Sequence, residues 1–266
     1  MKEIALQIAR EAKEQKLNIL REYLQNYILF IMQRIRMSSF LYFVGGTALR
    51  FLYQIRRYSE DLDFSAGEEW NSTEFLKQVK KIERALEKAG YSCAFKIKEE
   101  KNVQRAVICF YDLLYDLGLT QHKRQNLFIH IEIDKNPPAG WKDEKTIVDI
   151  HLPVVLQHYD LPSTFATKLA AVLTRPYTKG RDLYDLFWFR SKWKDLFPNF
   201  KLLNNAIAQK QGNYVSLSEK NWLKVFHKKI QFLNWENVKN DVIPFLEIRD
   251  DEFNFTQENL LLLLLR

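Results

Sequence analysis

The sequence predicts an α+β front half followed by an all-helical back half. Three observations carry this expectation. Segments with the two-residue alternation of strands fall between residues 40 and 134. From Ser163 onward the pattern turns helical and stays so. Between them, Asn136-Pro137-Pro138 stops the last strand, and a linker rich in charge and turns runs to about residue 150. The expected division is residues 1–150 as a core with an N-terminal helix and residues 151–266 as a helical domain.

Residues 3 to about 36 read as helix in two pieces, because Leu17, Leu20, Leu24, Ile28, Ile31 and Ile35 recur at steps of three and four. A short apolar strand, Phe40 to Val44, runs into Gly45-Gly46, and Thr47 to Gln54 resumes helical character. Leu62 and Phe64 alternate with Asp61 and Asp63, which predicts a strand over 61–65. Asn71-Ser72-Thr73 offers a cap to a helix carrying Phe75, Val79, Ile82 and Leu86, and Gly90 ends it. Strand-like segments follow near 91–98, 103–112 and 126–134. In the back half, Ser163 is the expected N-cap of a helix that Pro176 closes. Residues 181–191 begin the next helix, and several short helices follow, the last containing Leu260–Leu265.

The chain has 266 residues, 47% apolar and 27% charged, as expected of a folded soluble protein. Its net charge of +7 suits an anionic partner such as a nucleotide or RNA. Cys93 and Cys109 have no CxxC spacing, so a disulfide framework is not expected and a reducing cytoplasm is. The first residues alternate charges and do not read as a signal peptide. The leucine tail falls far short of the roughly 20 apolar residues that span a bilayer, so no membrane association is expected.

Only 8 glycines occur in the chain, and two of them stand together at Gly45-Gly46. A strand that ends in paired glycines and turns at once into a helix gathers backbone N–H groups at one point, where the helix N-terminus favours phosphate. Thr47 adds a hydroxyl. The bland alternative is a structural turn. Asp61 and Asp63 project from one face of their strand. Two carboxylates so close repel unless solvated, protonated or neutralised by a cation, and such a pair suits Mg²⁺ completed by substrate phosphates. Glu132 lies in mid-strand in the alternating segment 127–134 and would join them if the two strands are neighbours.

Gly45-Gly46-Thr47-Ala48-Leu49-Arg50 and Ser59-Glu60-Asp61-Leu62-Asp63-Phe64 resemble the first two motifs of the AbiEii/AbiGii toxin family. Lys168 with Ala171 and Arg175, then Lys179-Gly180-Arg181-Asp182-Leu183-Tyr184-Asp185-Leu186, resemble the third and fourth. The resemblance covers roughly residues 40 to 190, in the family's order. It implies the DNA polymerase β-like nucleotidyltransferase fold, a mixed sheet with flanking helices, with the helical C-terminal domain contributing to the active-site cleft. It implies metal binding by Asp61, Asp63 and Glu132, with Mg²⁺ or Mn²⁺ as cofactor. Nucleotide binding is implied for Gly45, Gly46, Thr47, Arg50, Ser59, Lys168, Arg175 and Arg181, and catalysis for Asp61, Asp63, Lys168 and either Asp185 or Asp182.

The residues themselves agree in part. Lys168, Ala171 and Arg175 share a helical face, able to touch NTP phosphates or to form a solvated basic stripe. Arg181 and Asp185, four apart, can form an intrahelical ion pair. What the resemblance implies biologically is a toxin of a bacterial toxin–antitoxin system linked to abortive phage infection, with a cognate antitoxin as partner. The activity expected is transfer of NMP from NTP to an RNA acceptor, the 3′ end of tRNA. Two basic sets could meet RNA phosphates: His122, Lys123 and Arg124, and Lys220, Lys224, Lys228 and Lys229. The alternatives are the same fold acting on a protein hydroxyl or a small molecule, or a GTP-binding module with little turnover.

Overall fold

The computed structural model describes residues 1–212, 214–248 and 251–265. The chain divides into two compact units. The first comprises residues 1–54, 58–136 and 144–158, and the second residues 55–57, 137–143 and 159–266. A three-residue segment, Ile55–Arg57, thus belongs to the unit built mainly from the far end of the chain.

In chain order, the front half contains α1 (Lys2–Glu11), α2 (Lys16–Arg34), β1 (Leu41–Val44), α3 (Gly45–Tyr53), β2 (Leu62–Ala66), α4 (Phe75–Lys88), β3 (Cys93–Glu99), β4 (Val103–Phe110), α5 (Leu113–Asp116) and β5 (Leu127–Asp134). Two further strands, β6 (Asp143–Asp149) and β7 (Pro153–Tyr159), complete a seven-stranded sheet in the order β3-β4-β5-β2-β1-β7-β6. The sheet is mixed: β2–β5 and β1–β7 run parallel, while β1–β2, β3–β4 and β4–β5 run antiparallel.

The two-residue period of the central strands divides this sheet into unlike faces. Leu62, Phe64, Ile129, Ile131, Ile133 and Ala106 are buried in one core cluster with residues of α1, α2 and α4. Each such aliphatic or aromatic side chain contributes about 1.5–3 kcal/mol on burial. The alternate residues, Asp63, Glu132, Asp134 and Arg105, take the other face. α4 docks through Phe75, Val79, Ile82 and Leu86, the periodic set expected from the sequence. Its entry is fixed by the Asn71 side chain, which accepts from the Thr73 backbone N–H.

The expected linker before residue 150 holds β6, and β7 follows it. β6 lies at the sheet edge and buries only Val148, so its sequence carries no alternation to read. The helix expected to start at Ser163 starts earlier. Asp160 is its N-cap, accepting from the Ser163 N–H at 2.9 Å, and Pro162 sits in its first turn. The Ser163 hydroxyl instead accepts from the Lys142 N–H and the Asn199 amide.

The second unit is helical: α6 (Leu161–Thr174), α7 (Gly180–Lys192), α8 (Phe200–Lys210), α9 (Trp222–Gln231), α10 (Trp235–Val242), α11 (Asp251–Asn254) and α12 (Gln257–Leu265). Phe165 stacks within 5.1 Å of Phe189 and 5.8 Å of Trp222, ring centre to ring centre. The first residue of α7 is Gly180, where a Cβ would collide with the Val238 carbonyl of α10. The leucine tail lies in α12, with Leu260 and Leu264 buried and Leu262 exposed. Among the described residues, no helix is long and apolar enough to cross a membrane.

Removing the aromatic centre of the second unit should destabilise it strongly. Phe165→Ala is expected to lower unfolding free energy by about 3–5 kcal/mol, read from urea denaturation followed by tryptophan fluorescence.

Candidate active site

In the first unit, the acidic face meets the glycine turn. β1 and β2 pair with Val44 opposite Asp63, so the residue after Val44 abuts the Asp63 side chain. That residue is Gly45, with a left-handed φ of +82°. A Cβ at Gly45 would fall on the Asp63 carboxylate. Glycine is therefore required twice, for backbone conformation and for space. The result is a carboxylate set against the N-terminus of α3.

Thr47 is completely buried, and its hydroxyl donates to the Asp61 carbonyl at 2.5 Å. It ties α3 to the acidic segment. Arg50 is likewise engaged: its Nε donates to Glu22 Oε2 at 2.6 Å, and its guanidinium lies 4.7 Å from the Tyr58 ring centre. The Ser59 carbonyl accepts from Gln25 Nε2 at 3.1 Å.

β5 runs beside β2 in parallel, with Asp63 in register with Glu132. The third carboxylate thus stands next to the pair in the ladder. Both its oxygens, however, are bound by Arg105, at 2.6 Å to Nε and 3.2 Å through Nη2. The hydrogen bond to Glu132 outweighs partial burial and holds Arg105 above its ordinary range, with the charges of Glu100 and Asp61 adding to the effect. Among the described residues, no group of three or more His, Cys, Asp or Glu is arranged to hold a metal ion. Glu132, the third carboxylate expected beside Asp61 and Asp63, is thus held by Arg105. Two hard oxygen donors beside a helix N-terminus still fit Mg²⁺ or Mn²⁺, which complete their shells with phosphate and water.

Arg105 is the residue that the sequence reading misses. It is the one cation in the strand Val103–Phe110, sharing a face with Val103 and Val107. Its partner lies 27 residues away, beyond the reach of local patterns.

The second unit holds a buried ion network. α6 supplies Lys168, the residue that follows it supplies Arg175, α7 supplies Asp182 and Asp185, and the segment Ile55–Arg57 supplies Arg57. Arg57 binds Asp185 in bidentate fashion, at 2.6 and 2.7 Å. The Lys168 ammonium lies 2.7 Å from Asp185 and 3.1 Å from Asp182. Arg175, the most exposed member, closes on the other oxygen of Asp182. Asp182 and Asp185 therefore share one lysine. Arg181 turns away from Asp185: its backbone N–H and guanidinium face Asp241, at 3.2 and 3.7 Å, and the guanidinium lies 4.5 Å from the Phe245 ring centre.

Burial alone would lower the Lys168 ammonium, but Asp185 and Asp182 outweigh it and hold it above the ordinary lysine value. Burial alone would raise the Asp182 carboxyl, but Lys168 and Arg175 outweigh it and hold it below the ordinary aspartate value of 3.8. The two basic sets lie at the surface of their own units. His122, Lys123 and Arg124 are exposed in the connection from α5 to β5, and Lys224 and Lys228 are exposed on α9.

Asp185→Asn should leave Arg57 and Lys168 buried without their full counter-charge, a loss of about 3–5 kcal/mol in urea unfolding monitored at the tryptophans of α7 and α9. Asp182 adds a pH dependence. Its folded value is depressed, so its contribution is complete above the ordinary value of 3.8 and disappears as pH falls further, through the folded value. Asp182→Asn should therefore show a shallower loss of stability in that acid range than the parent, in acid titrations followed by the same fluorescence.

A search of the curated proteins gives no significant match. Solved structures share the fold at low identity. A Helicobacter pylori chain described as a nucleotidyltransferase aligns with a TM-score of 0.62 and 22% identity, covering 96% of this chain and 95% of that one. JHP933 from Helicobacter pylori gives 0.61 and 19%, covering 96% and 92%. The nucleotidyltransferase toxin MenT4 from Mycobacterium tuberculosis gives 0.53 and 16%, covering 99% of each chain. The sequence profile for the nucleotidyl transferase AbiEii toxin of type IV toxin–antitoxin systems matches residues 28–257. With the glycine turn and the acidic strand both inside that span, the chain belongs to the AbiEii nucleotidyl transferase toxin family.

Proposed function

We propose that this toxin transfers a nucleoside monophosphate from an NTP to the 3′ end of tRNA. The observation that carries the reading is the Gly45 turn, which sets the N-terminus of α3 against the Asp63 carboxylate. Phosphate drawn to that helix end meets a carboxylate that repels it unless a cation lies between. Asp61 and Asp63 would hold Mg²⁺ or Mn²⁺ there, and the ion would supply neutralisation of the triphosphate charge. Gly45 and Gly46 leave the backbone open to close approach by phosphate. Thr47 and Arg50 act by fixing α3 to the segment that carries Asp61.

An acceptor hydroxyl attacks the α-phosphorus in line and loses its proton to solvent, the bond to the bridging oxygen breaks, and pyrophosphate leaves with the electron pair. Positioning and charge neutralisation supply most of the rate, with no covalent protein nucleophile required. Arg105 keeps Glu132 neutralised beside the segment that carries Asp61 and Asp63. In the second unit, Lys168 and Arg175 are proposed to meet phosphate, with Asp182 and Asp185 as their framework. The net charge of +7 and the two exposed basic sets support an RNA acceptor bound through its phosphates. A cognate antitoxin and a cytoplasmic setting belong to the same reading.

Labelled NTPs, Mg²⁺ and a mixture of bacterial RNA and protein test it. Label should enter tRNA. Label in protein or in a small molecule would redirect the assignment, and tight nucleotide binding without transfer would remove the enzymatic reading. Asp61→Ala and Asp63→Ala should each reduce transfer by about 10³-fold or more. Full activity in either variant would overturn the assignment of that carboxylate.

A further inference from the structure

α2 carries a stripe of buried polar side chains through the core of the first unit. Asn18, Glu22, Gln25 and Asn26 are each less than a tenth exposed, and Asn26 is fully buried. Buried polar groups are tolerated only when bonded, and an apolar residue at such a position is usually the cheaper choice. The partners of this stripe are specific. Glu22 binds Arg50 of α3 at 2.6 Å. Gln25 donates to the Ser59 carbonyl, two residues before Asp61, at 3.1 Å. Arg21, on the same side, reaches Glu60 at 3.5 Å. Asn26 pairs with both backbone groups of Leu152, at 3.2 and 2.8 Å, ahead of β7. Gln33 accepts from the Val155 N–H at 2.7 Å.

We propose that α2 is a rail that positions the two halves of the nucleotide site, with Glu22 and Gln25 as positioning residues. Glu22 holds the helix that begins at the glycine turn, and Gln25 holds the segment that leads into Asp61. Thr47, bonded to the Asp61 carbonyl, joins the two held parts. Rotation of α2 by one residue would release both at once, because both grips lie on one helical stripe. Asn18, Glu22 and Gln25 lie before residue 28, where the match to the family begins. The inference rests on the proposed nucleotide site.

Gln25→Met removes the donor while nearly keeping side-chain length, and Glu22→Gln removes the charge while keeping the shape. Two measurements apply to each. In transfer assays, the NTP and Mg²⁺ concentrations for half-maximal rate should rise about 5- to 20-fold, with kcat at saturation within about twofold. In native-state hydrogen exchange, amides of residues 45–53 and 58–63 should exchange about tenfold faster, with β3 and β4 unchanged. Uniformly faster exchange, or a fall in kcat with half-saturation unmoved, would mean that these residues merely stabilise the fold and would overturn the proposal. If the local exchange signature appears but the parent chain takes up no nucleotide, the functional reading fails, and the assignment of Glu22 and Gln25 to a nucleotide site falls with it. Unaltered exchange in both variants, with a parent that does transfer nucleotides, would refute the rail alone.

Discussion

A one-residue slip of β2 against β5 would bury Asp63 and expose Leu62. That constraint governs the first unit. The apolar face is fixed because its residues are all buried in one cluster, and side chains alternate strictly along each strand. The polar face inherits its register from the buried one. Asp63 then lies opposite Val44 on one side and beside Glu132 on the other. The geometry of the acidic site is therefore a by-product of core packing, and needs no attraction between the carboxylates themselves.

Electrostatics completes what packing begins. Asp63 and Glu132, in register on neighbouring strands, would repel one another. Arg105 neutralises Glu132 with two hydrogen bonds. The second unit solves a similar problem with more burial. Arg57, Lys168 and Arg175 surround Asp182 and Asp185, so each buried carboxylate has at least two cationic neighbours. Desolvation of such charges is expensive, and only good geometry recovers it. The bidentate pairing of Arg57 with Asp185 is geometry of that kind.

Local pattern made much of this legible. The paired glycines stood out against their scarcity elsewhere, and the alternation of 127–134 exposed both faces of β5. The stripe Phe75, Val79, Ile82 and Leu86 marked α4. Asp182 and Asp185 both proved to contact Lys168, so the sequence could not choose between them for a physical reason. What stayed hidden was non-local or masked. β6 is an edge strand with one buried residue, and its polar sequence reads as a linker. α6 starts before the expected Ser163 because Asp160, three residues earlier, supplies the cap. The partners of Thr47 and Arg50, the Asp61 carbonyl and Glu22, lie 14 and 28 residues away, beyond local pattern. Glu22 and Gln25 interrupt an apolar helix, a sign of some buried bond but not of which one.

The segment Ile55–Arg57 belongs to the second unit although its neighbours in the chain belong to the first. Arg57 and Asp185 are 128 residues apart, so during synthesis the guanidinium leaves the ribosome long before its carboxylate exists. The helical unit cannot complete its interior until the ribosome has made both. A gene cut anywhere between them would yield a carboxy-terminal fragment with two interior aspartates and no Arg57. The two units are thus separate in compactness but not in heredity: recombination that exchanged one without the other would have to carry three residues from the middle of the first.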